Sequence, residues 1–130
     1  MKTDGLGVGN ILMYRDKDDV LHRSKVLGVN NNVVLVLVED GGFEWVICDD
    51  LSPIEISEKE LVSLGFKDST DLLTYRKKVL GAASEGDYPY AKYYKKAKIF
   101  SIINPVKSMN FTGPIEYVHE LQEFLKLIIK

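Results

Sequence analysis

The pattern of apolar and polar positions divides the first fifty residues into four short strands. Apolar stretches at 11–14, 20–29, 33–38 and 43–48 alternate with turn-forming segments rich in Asp, Asn and Gly. Such short stretches, rich in β-branched residues and bounded by turns, favour strands over helices. We therefore predict an N-terminal SH3-like antiparallel small barrel or curled sheet over about residues 7–52.

The last of these strands is predicted to have two different faces. Its alternating positions are Phe43, Trp45 and Ile47 against Glu44, Val46 and Cys48. Successive side chains of a strand point to opposite faces, so each set of three shares one face. Cys48 then lies on the same face as Val46, where a free thiol behaves as a small buried apolar group.

A short helix is predicted over residues 58–64. Ser57 and Glu60 have the spacing of a capping box, in which each side chain satisfies a free amide at the helix start. Gly65 follows at the position that favours a left-handed backbone, which lets Phe66 fold back onto the helix.

The second half of the chain predicts strands followed by an amphipathic helix. Aromatic and β-branched residues favour a β-meander at about 72–111, although the Ala and Lys content of 91–98 also suits a helix. At steps of 100°, the apolar residues of 115–129 fall within one arc of about 140°, which is typical of a helix that covers a sheet. Pro114 suits the first turn of that helix, with Thr112 as a candidate cap.

These elements predict an α+β protein with two subdomains. Residues 1–52 would form the small β subdomain and residues 53–130 the α+β subdomain, or both could pack as one compact domain. The length of 130 residues, with 45% apolar and 28% charged side chains, suits this size and excludes a disordered chain.

The composition also limits the predicted location of the protein and the kinds of site it can contain. The longest apolar run, 33–38, is too short to span a membrane, and the N-terminus lacks the apolar core of a signal peptide. A cytoplasmic location and no membrane partner are predicted. The single cysteine excludes an internal disulfide framework and a multi-cysteine metal site. No metal site and no cofactor are predicted.

The formal net charge of −2 conceals an uneven distribution. Residues 1–70 hold 7 basic and 13 acidic side chains, whereas residues 71–130 hold 10 basic and 6 acidic ones. Lysines that alternate with tyrosines can neutralise phosphates and stack on bases, so nucleic-acid binding is one interpretation. The other interpretation is a solvated sheet face, or electrostatic pairing with the acidic half of the chain or with a partner protein. The candidate binding residues are Arg76, Lys77, Lys78, Lys92, Tyr93, Tyr94, Lys95, Lys96 and Lys98.

Three further patterns are weaker candidates for a functional site. The glycines at 5–9 lack the preceding strand of a dinucleotide-binding loop, and a flexible leader is expected there. The acidic turn at 16–19 lacks the glycine and the distal glutamate of a calcium loop. His119 with Glu120 or Glu123 could serve a hydrolase, although position 123 lacks the second histidine of a zinc-protease helix.

Several short motifs occur in a fixed order along the chain. They are Gly9-Asn10, Leu51-Ser-Pro-Ile54, Gly65-Phe66 and Ile115-Glu-Tyr-Val-His-Glu-Leu-Gln122. In this order they resemble a group of small uncharacterised proteins from Bacteroidetes and their phages or prophages. The final segment 123–130 departs from the longer, more polar tail of that group. The resemblance implies a phage or mobile-element origin, and it carries over no catalytic residue.

The leading functional prediction is a non-enzymatic binding or interaction module. Its partner would be an unknown protein or a second copy of the chain, with nucleic-acid binding through 75–98 and a hydrolase using His119 as alternatives. An interaction module is expected to expose an apolar or aromatic patch of several hundred Å².

Overall fold

The computed structural model of the chain describes residues 5–39, 41–76, 89–104 and 109–129. These residues form two antiparallel five-stranded sheets and two α-helices, so the predicted α+β class is confirmed. The chain divides into two compact units. Unit 1 comprises 1–55 with 117–123, and unit 2 comprises 56–116 with 124–130. The last helix therefore contributes to both units, whereas the sequence analysis assigned all of it to the second.

Unit 1 contains the first sheet. Its strands are β1 (Ile11–Arg15), β2 (Leu21–Asn30), β3 (Val33–Val38), β4 (Phe43–Ile47) and β5 (Leu51–Ser52). They are arranged in the order β4-β3-β2-β1-β5, and a 3-10 turn, Cys48–Asp50, connects β4 to β5. Within the described residues β4 and β5 are the two edges, so the sheet is open and forms no closed barrel.

The polar segments between these strands form the turns that the sequence predicts. Asn31 adopts a φ of 55° and Gly41 a φ of 93°, a left-handed backbone that Asn and Gly tolerate best. Asp16 closes the turn after β1, where one carboxylate oxygen accepts from the amides of Asp18 and Val20 at 2.9 and 3.0 Å. The acidic turn is thus a structural turn.

The core of unit 1 lies on one face of this sheet. Alternate residues of β3 point into it, and Val46 of β4 lies beside them. The buried cluster comprises Leu12, Tyr14, Val26, Val34, Val36, Val38, Val46, Cys48 and Leu51. Cys48 is buried as predicted, and burial raises the pKa of its thiol.

The glycine-rich opening is held in place by hydrogen bonds, which corrects the expectation of a flexible leader for its described part. Asn10 is fully buried, and its side-chain oxygen accepts from the amide of Gly7 at 2.7 Å. Gly9 has a φ of 93° and donates to the carbonyl of Val26 at 2.8 Å. The side chain of Gln122 accepts from the amide of Ile11 at 2.8 Å and donates to the carbonyl of Gly9 at 3.1 Å.

Unit 2 begins with helix α1 (Glu58–Ser63), which ends one residue before the predicted position. The hydroxyl of Ser57 accepts from the amide of Glu60 at 3.3 Å, as its half of a capping box requires. The amides of Gly65 and Phe66 donate to the carbonyls of Val62 and Leu61, both at 3.0 Å. This pair of bonds is a Schellman motif, and Gly65 has the expected positive φ of 105°.

The second sheet is a meander in unit 2. Its strands are β6 (Lys67–Asp68), β7 (Leu72–Arg76), β8 (Tyr90–Tyr94), β9 (Ile99–Asn104) and β10 (Met109–Gly113), in the order β10-β9-β8-β7-β6. Residues 91–94 lie in a strand and 95–98 in a turn, so the helical alternative is wrong there. Leu73, Ala91, Phe100 and Ile102 are completely buried on one face of this sheet.

Helix α2 (Val118–Ile129) begins three residues later than predicted. Thr112 does not cap it, because Thr112 lies in β10 opposite Ser101, and Pro114 precedes the helix instead of forming its first turn. The amide of Tyr117 donates to the carboxylate of Glu120 at 3.1 Å, which caps the actual start. The buried residues Val118, Leu121 and Leu125 confirm the predicted apolar stripe. Neither described helix combines the length and apolar character needed to cross a bilayer.

Candidate interaction surface

The outer face of the first sheet carries a continuous apolar surface on β3 and β4. On this face each residue of one strand lies opposite an apolar residue of the other. Val33, Leu35 and Leu37 lie opposite Ile47, Trp45 and Phe43. We call these six residues the apolar outer face. Phe43 is 69% exposed, Trp45 60% and Ile47 52%. With aromatic side chains of about 150–250 Å² each, the three β4 residues expose on the order of 300–400 Å².

Strand β3 explains why this surface is unusual. Its sequence, Val-Val-Leu-Val-Leu-Val, is apolar at every position, as in strands that are buried on both faces. Val34, Val36 and Val38 are indeed buried in the core of unit 1. The opposite face of the same strand supports the exposed residues of β4. A strand of this kind on a sheet with one covered face leaves an apolar surface exposed.

The backbone of β4 is also available for pairing. The amide of Cys48 donates to the carbonyl of Asn32 at 3.1 Å, and the amide of Val38 donates to the carbonyl of Gly42 at 2.8 Å. Because bonded and non-bonded pairs alternate in an antiparallel ladder, Phe43, Trp45 and Ile47 lie at the non-bonded positions between these bonds. Their amides and carbonyls therefore point away from β3, towards the edge where the described residues place no further strand.

The one charged residue of β4 belongs to the other face. Glu44 accepts a hydrogen bond of 2.8 Å from the phenol of Tyr14, which lies in the core of unit 1. That bond, followed by burial and the negative charge of Glu44, raises the pKa of Tyr14 to about 12. The arrangement keeps the carboxylate away from the apolar outer face.

A shallow open depression of about 350 Å³ adjoins this surface at the β3–β4 turn. Leu37 belongs to both, and Ile11 and Lys25 lie in the same cross-strand row as Leu37. Arg23 and Glu39 also line the depression. It thus combines apolar walls with charged groups of both signs at one end of the apolar outer face.

The predicted basic segment does not form one surface in the described residues. Lys92 lies over the ring of Tyr90, with its Nζ 5.1 Å from the ring centroid. Tyr93 lies on the other face of β8, where its ring packs 4.7 Å from that of Phe100. Tyr94, Lys96 and Lys98 are exposed at or beside the turn after β8. Lys77 and Lys78, and the side chain of Arg76, lie outside the described residues.

Lys95 is engaged within unit 2. Its ammonium group donates to the carboxylate of Asp68 and lies 4.0 Å from that of Glu58. The hydrogen bond to Asp68 raises the pKa of Lys95. Both acids belong to the acidic residues 1–70. One basic residue of the candidate set therefore pairs with acidic side chains of this chain.

The residues of the hydrolase alternative lie near the start of α2. Burial lowers the pKa of the His119 imidazole, and its ring stacks on that of Tyr117 with centroids 6.0 Å apart. Among the described residues its buried Nδ1 has no hydrogen-bond partner. Glu120 caps the helix. Throughout the described residues, no group of three or more His, Cys, Asp or Glu side chains is placed to hold a metal ion.

The alternation of residues in β4 is visible in the sequence, but it does not reveal that the side with Phe43, Trp45 and Ile47 is exposed. The sequence signal for this exposed apolar face is in β3, where no polar residue marks a solvent-facing side. No protein-family model, curated protein or solved structure matches this chain.

Proposed function

We propose that this protein is a non-enzymatic interaction module that binds a polypeptide partner through the apolar outer face. The observation that carries the proposal is the exposure of Phe43, Trp45 and Ile47 on one side of an edge strand. Aromatic residues dominate the energetic centres of protein interfaces, and Trp is the most enriched of them. Trp45 occupies the middle of the strand, so we assign it the central contact.

The edge of β4 supports the same proposal. An extended peptide can add to an open edge, where main-chain hydrogen bonds provide affinity and alternate side chains provide specificity. Such a peptide would place apolar side chains beside Phe43, Trp45 and Ile47. Charged side chains in those positions would lose their hydration without a partner.

A selection from a displayed library of random peptides, with the full chain as bait, tests this function. We expect apolar, β-forming peptides that shift the fluorescence of Trp45, the single tryptophan of the chain. Trp45→Glu should weaken their binding by about tenfold or more. Val62→Glu is the matched control, because Val62 is a 50% exposed apolar residue on α1. Peptides that bind Trp45→Glu as well as the native chain would contradict the proposal.

An SH3-like arrangement of unit 1 is part of this proposal. Five short antiparallel strands, with β1 between β2 and β5, support it. The ten-residue β2 has a bulge between Val26 and Gly28, and bulges bend long strands in small barrels. SH3-like folds serve many unrelated binding functions, so the surface defines the role.

Nucleic-acid binding is the second candidate. The exposure of Tyr94, Lys96 and Lys98 around one turn favours it, because stacking and phosphate contacts need exposed groups. Fluorescence anisotropy with random-sequence single-stranded and duplex DNA and RNA would test it. Affinity should fall steeply with salt and disappear when Lys92, Lys96 and Lys98 become Glu. No binding to any of these probes at low salt would exclude this candidate.

The geometry around His119 does not favour the hydrolase. Glu120 is engaged with the amide of Tyr117, and the depression beside Leu37 does not include His119. Two further predictions are untested. One is a phage or mobile-element origin, which the resemblance of the motif order supports, and the other is a cytoplasmic location. The genes that neighbour the coding sequence would test the origin.

A further inference from the structure

The geometry points to a second copy of this chain as the partner of the β4 edge, an inference that rests on the proposed interaction surface. The two copies would pair β4 with β4 in antiparallel orientation about a two-fold axis at Trp45. In this register Trp45 lies opposite Trp45 of the second copy, and Phe43 lies opposite Ile47. On the apolar outer face, apolar residues therefore meet apolar residues. Each unlike contact occurs twice, as a two-fold interface requires.

The direction of the backbone groups matches this register. Residues 43, 45 and 47 point their amides and carbonyls away from β3, and these are the residues that the two-fold pairing would bond. The backbone of Trp45 would bond to the backbone of Trp45 in the second copy. The backbone of each Phe43 would bond to that of Ile47 in the other copy. The pairing supplies up to about six main-chain hydrogen bonds.

Charge does not oppose the association. Glu44 is the one charged residue of β4, and it lies on the other face in a hydrogen bond with Tyr14. The register places Glu44 opposite Val46, so the two glutamates do not face each other. Proteins commonly protect edges with lysine, proline or very short strands, and β4 has none of these.

The other described edges lack this combination. β5 and β6 have two residues each, which is too short for stable pairing. β10 has five residues, but its exposed positions include Asn110 and Thr112 rather than apolar side chains. β4 is therefore the edge on which a second copy gains both backbone bonds and apolar contact.

The area indicates how strong the association should be. The three β4 side chains expose on the order of 300–400 Å² per copy, and strand pairing buries at most this apolar area. The upper limit is well below the roughly 800 Å² per partner of a standard stable interface. We therefore expect a weak, concentration-dependent dimer and not a permanent one.

Sedimentation equilibrium of the full chain from about 5 µM to about 1 mM tests this inference. The expected mass rises from the 14.7 kDa of one chain towards twice that value and no further. Trp45→Glu removes the central apolar contact, and Phe43→Pro removes an outward amide that an edge strand does not need for folding. Both should abolish the rise, whereas Val62→Glu should leave it unchanged. Circular dichroism checks that each variant is folded. If Phe43→Pro is unfolded, the result for Trp45→Glu alone tests the inference.

Three outcomes would overturn the inference. They are a native chain that stays monomeric at the highest concentration, a dimer that persists in Trp45→Glu, and growth beyond the dimer. The peptide selection separates this failure from failure of the proposed function. A monomeric chain whose selected peptides depend on Trp45 keeps the function and loses the second copy as partner. A monomeric chain without such peptides loses both.

Discussion

Tyr14 and Glu44 connect the core of unit 1 to its edge strand. The phenol of Tyr14 in β1 donates to the carboxylate of Glu44 in β4 at 2.8 Å, although the two residues are separated by 30 positions. The bond fixes which face of β4 carries its charge. The apolar outer face consequently has no carboxylate from its own edge strand.

The first prediction concerns the pH dependence of this bond. The pKa of Tyr14 is about 12 in the folded chain, against an ordinary value near 10. Since the folded state holds the proton more tightly, the contribution of Tyr14 to stability is complete below about pH 10 and is lost as pH rises to about 12. Urea denaturation across this range should show a steeper loss of unfolding free energy in the native chain than in Tyr14→Phe. The same pH dependence in both proteins would contradict this prediction. The other tyrosines titrate in both proteins, so their contribution cancels in the comparison.

The second prediction compares two adjacent residues of β4. Trp45 is 60% exposed, whereas Val46 is 5% exposed and belongs to the core cluster. Trp45→Thr should lower the unfolding free energy by no more than about 1 kcal/mol, through the lost cross-strand contact with Leu35. Val46→Ala should lower it by about 2 kcal/mol, through lost burial and the cavity left behind. Denaturation at low protein concentration avoids any contribution from self-association, and a large loss in Trp45→Thr would contradict the assignment of its face.

The third prediction concerns the end of α1. Gly65 has a φ of 105°, and a Cβ atom at this position would lie 3.4 Å from the Cε2 atom of Tyr75. Gly65→Ala should therefore cost about 1–2 kcal/mol, mostly from the left-handed backbone. Gly42→Ala is the matched control, because Gly42 lacks a positive φ and has no atom within 4 Å of the added Cβ. Thermal unfolding should separate the two variants, and equal stability would show that the cap tolerates a side chain.

The fourth prediction concerns Gln122, whose side chain bonds to Ile11 and Gly9 on either side of buried Asn10. Gln122→Leu leaves a backbone amide and a carbonyl without partners, at a cost of about 1–3 kcal/mol. Gln122→Glu keeps the acceptor for Ile11 and loses the donor to Gly9, so an intermediate stability is expected. Hydrogen exchange at the Ile11 amide should accelerate in Gln122→Leu. An unchanged rate would contradict the contact.

Local signals predicted the elements that depend on few residues. The bounds of β3 and the cap at Gly65 follow from β-branched residues, turn residues and glycine alone. Thr112 and Pro114 have equally good local signals for a helix start, but the strand pairing of Thr112 with Ser101 outweighs them. Local preference is worth less than the pairing of a whole strand, and the sequence contains no sign of that competition.

The candidate surface depends on what covers each face, which the alternation of residues does not specify. The pattern at 43–48 predicts that the two faces differ, and Cys48 favours burial of its own face. The pattern does not show that the face of Phe43, Trp45 and Ile47 stays uncovered. The partners of Lys95 show the same limit. Asp68 lies 27 positions before Lys95, and only the folded sheet brings them together.

The alternation in β4 makes five residues contribute both to the core of unit 1 and to the apolar outer face. Inserting one residue between β3 and β4 would exchange the two faces of this strand. Trp45 would then have to fit into the space of Val46, and Glu44 would take the place of Trp45 on the apolar outer face. Evolution can therefore change the side chains of this surface one at a time, whereas the length of the preceding turn is fixed by the fold.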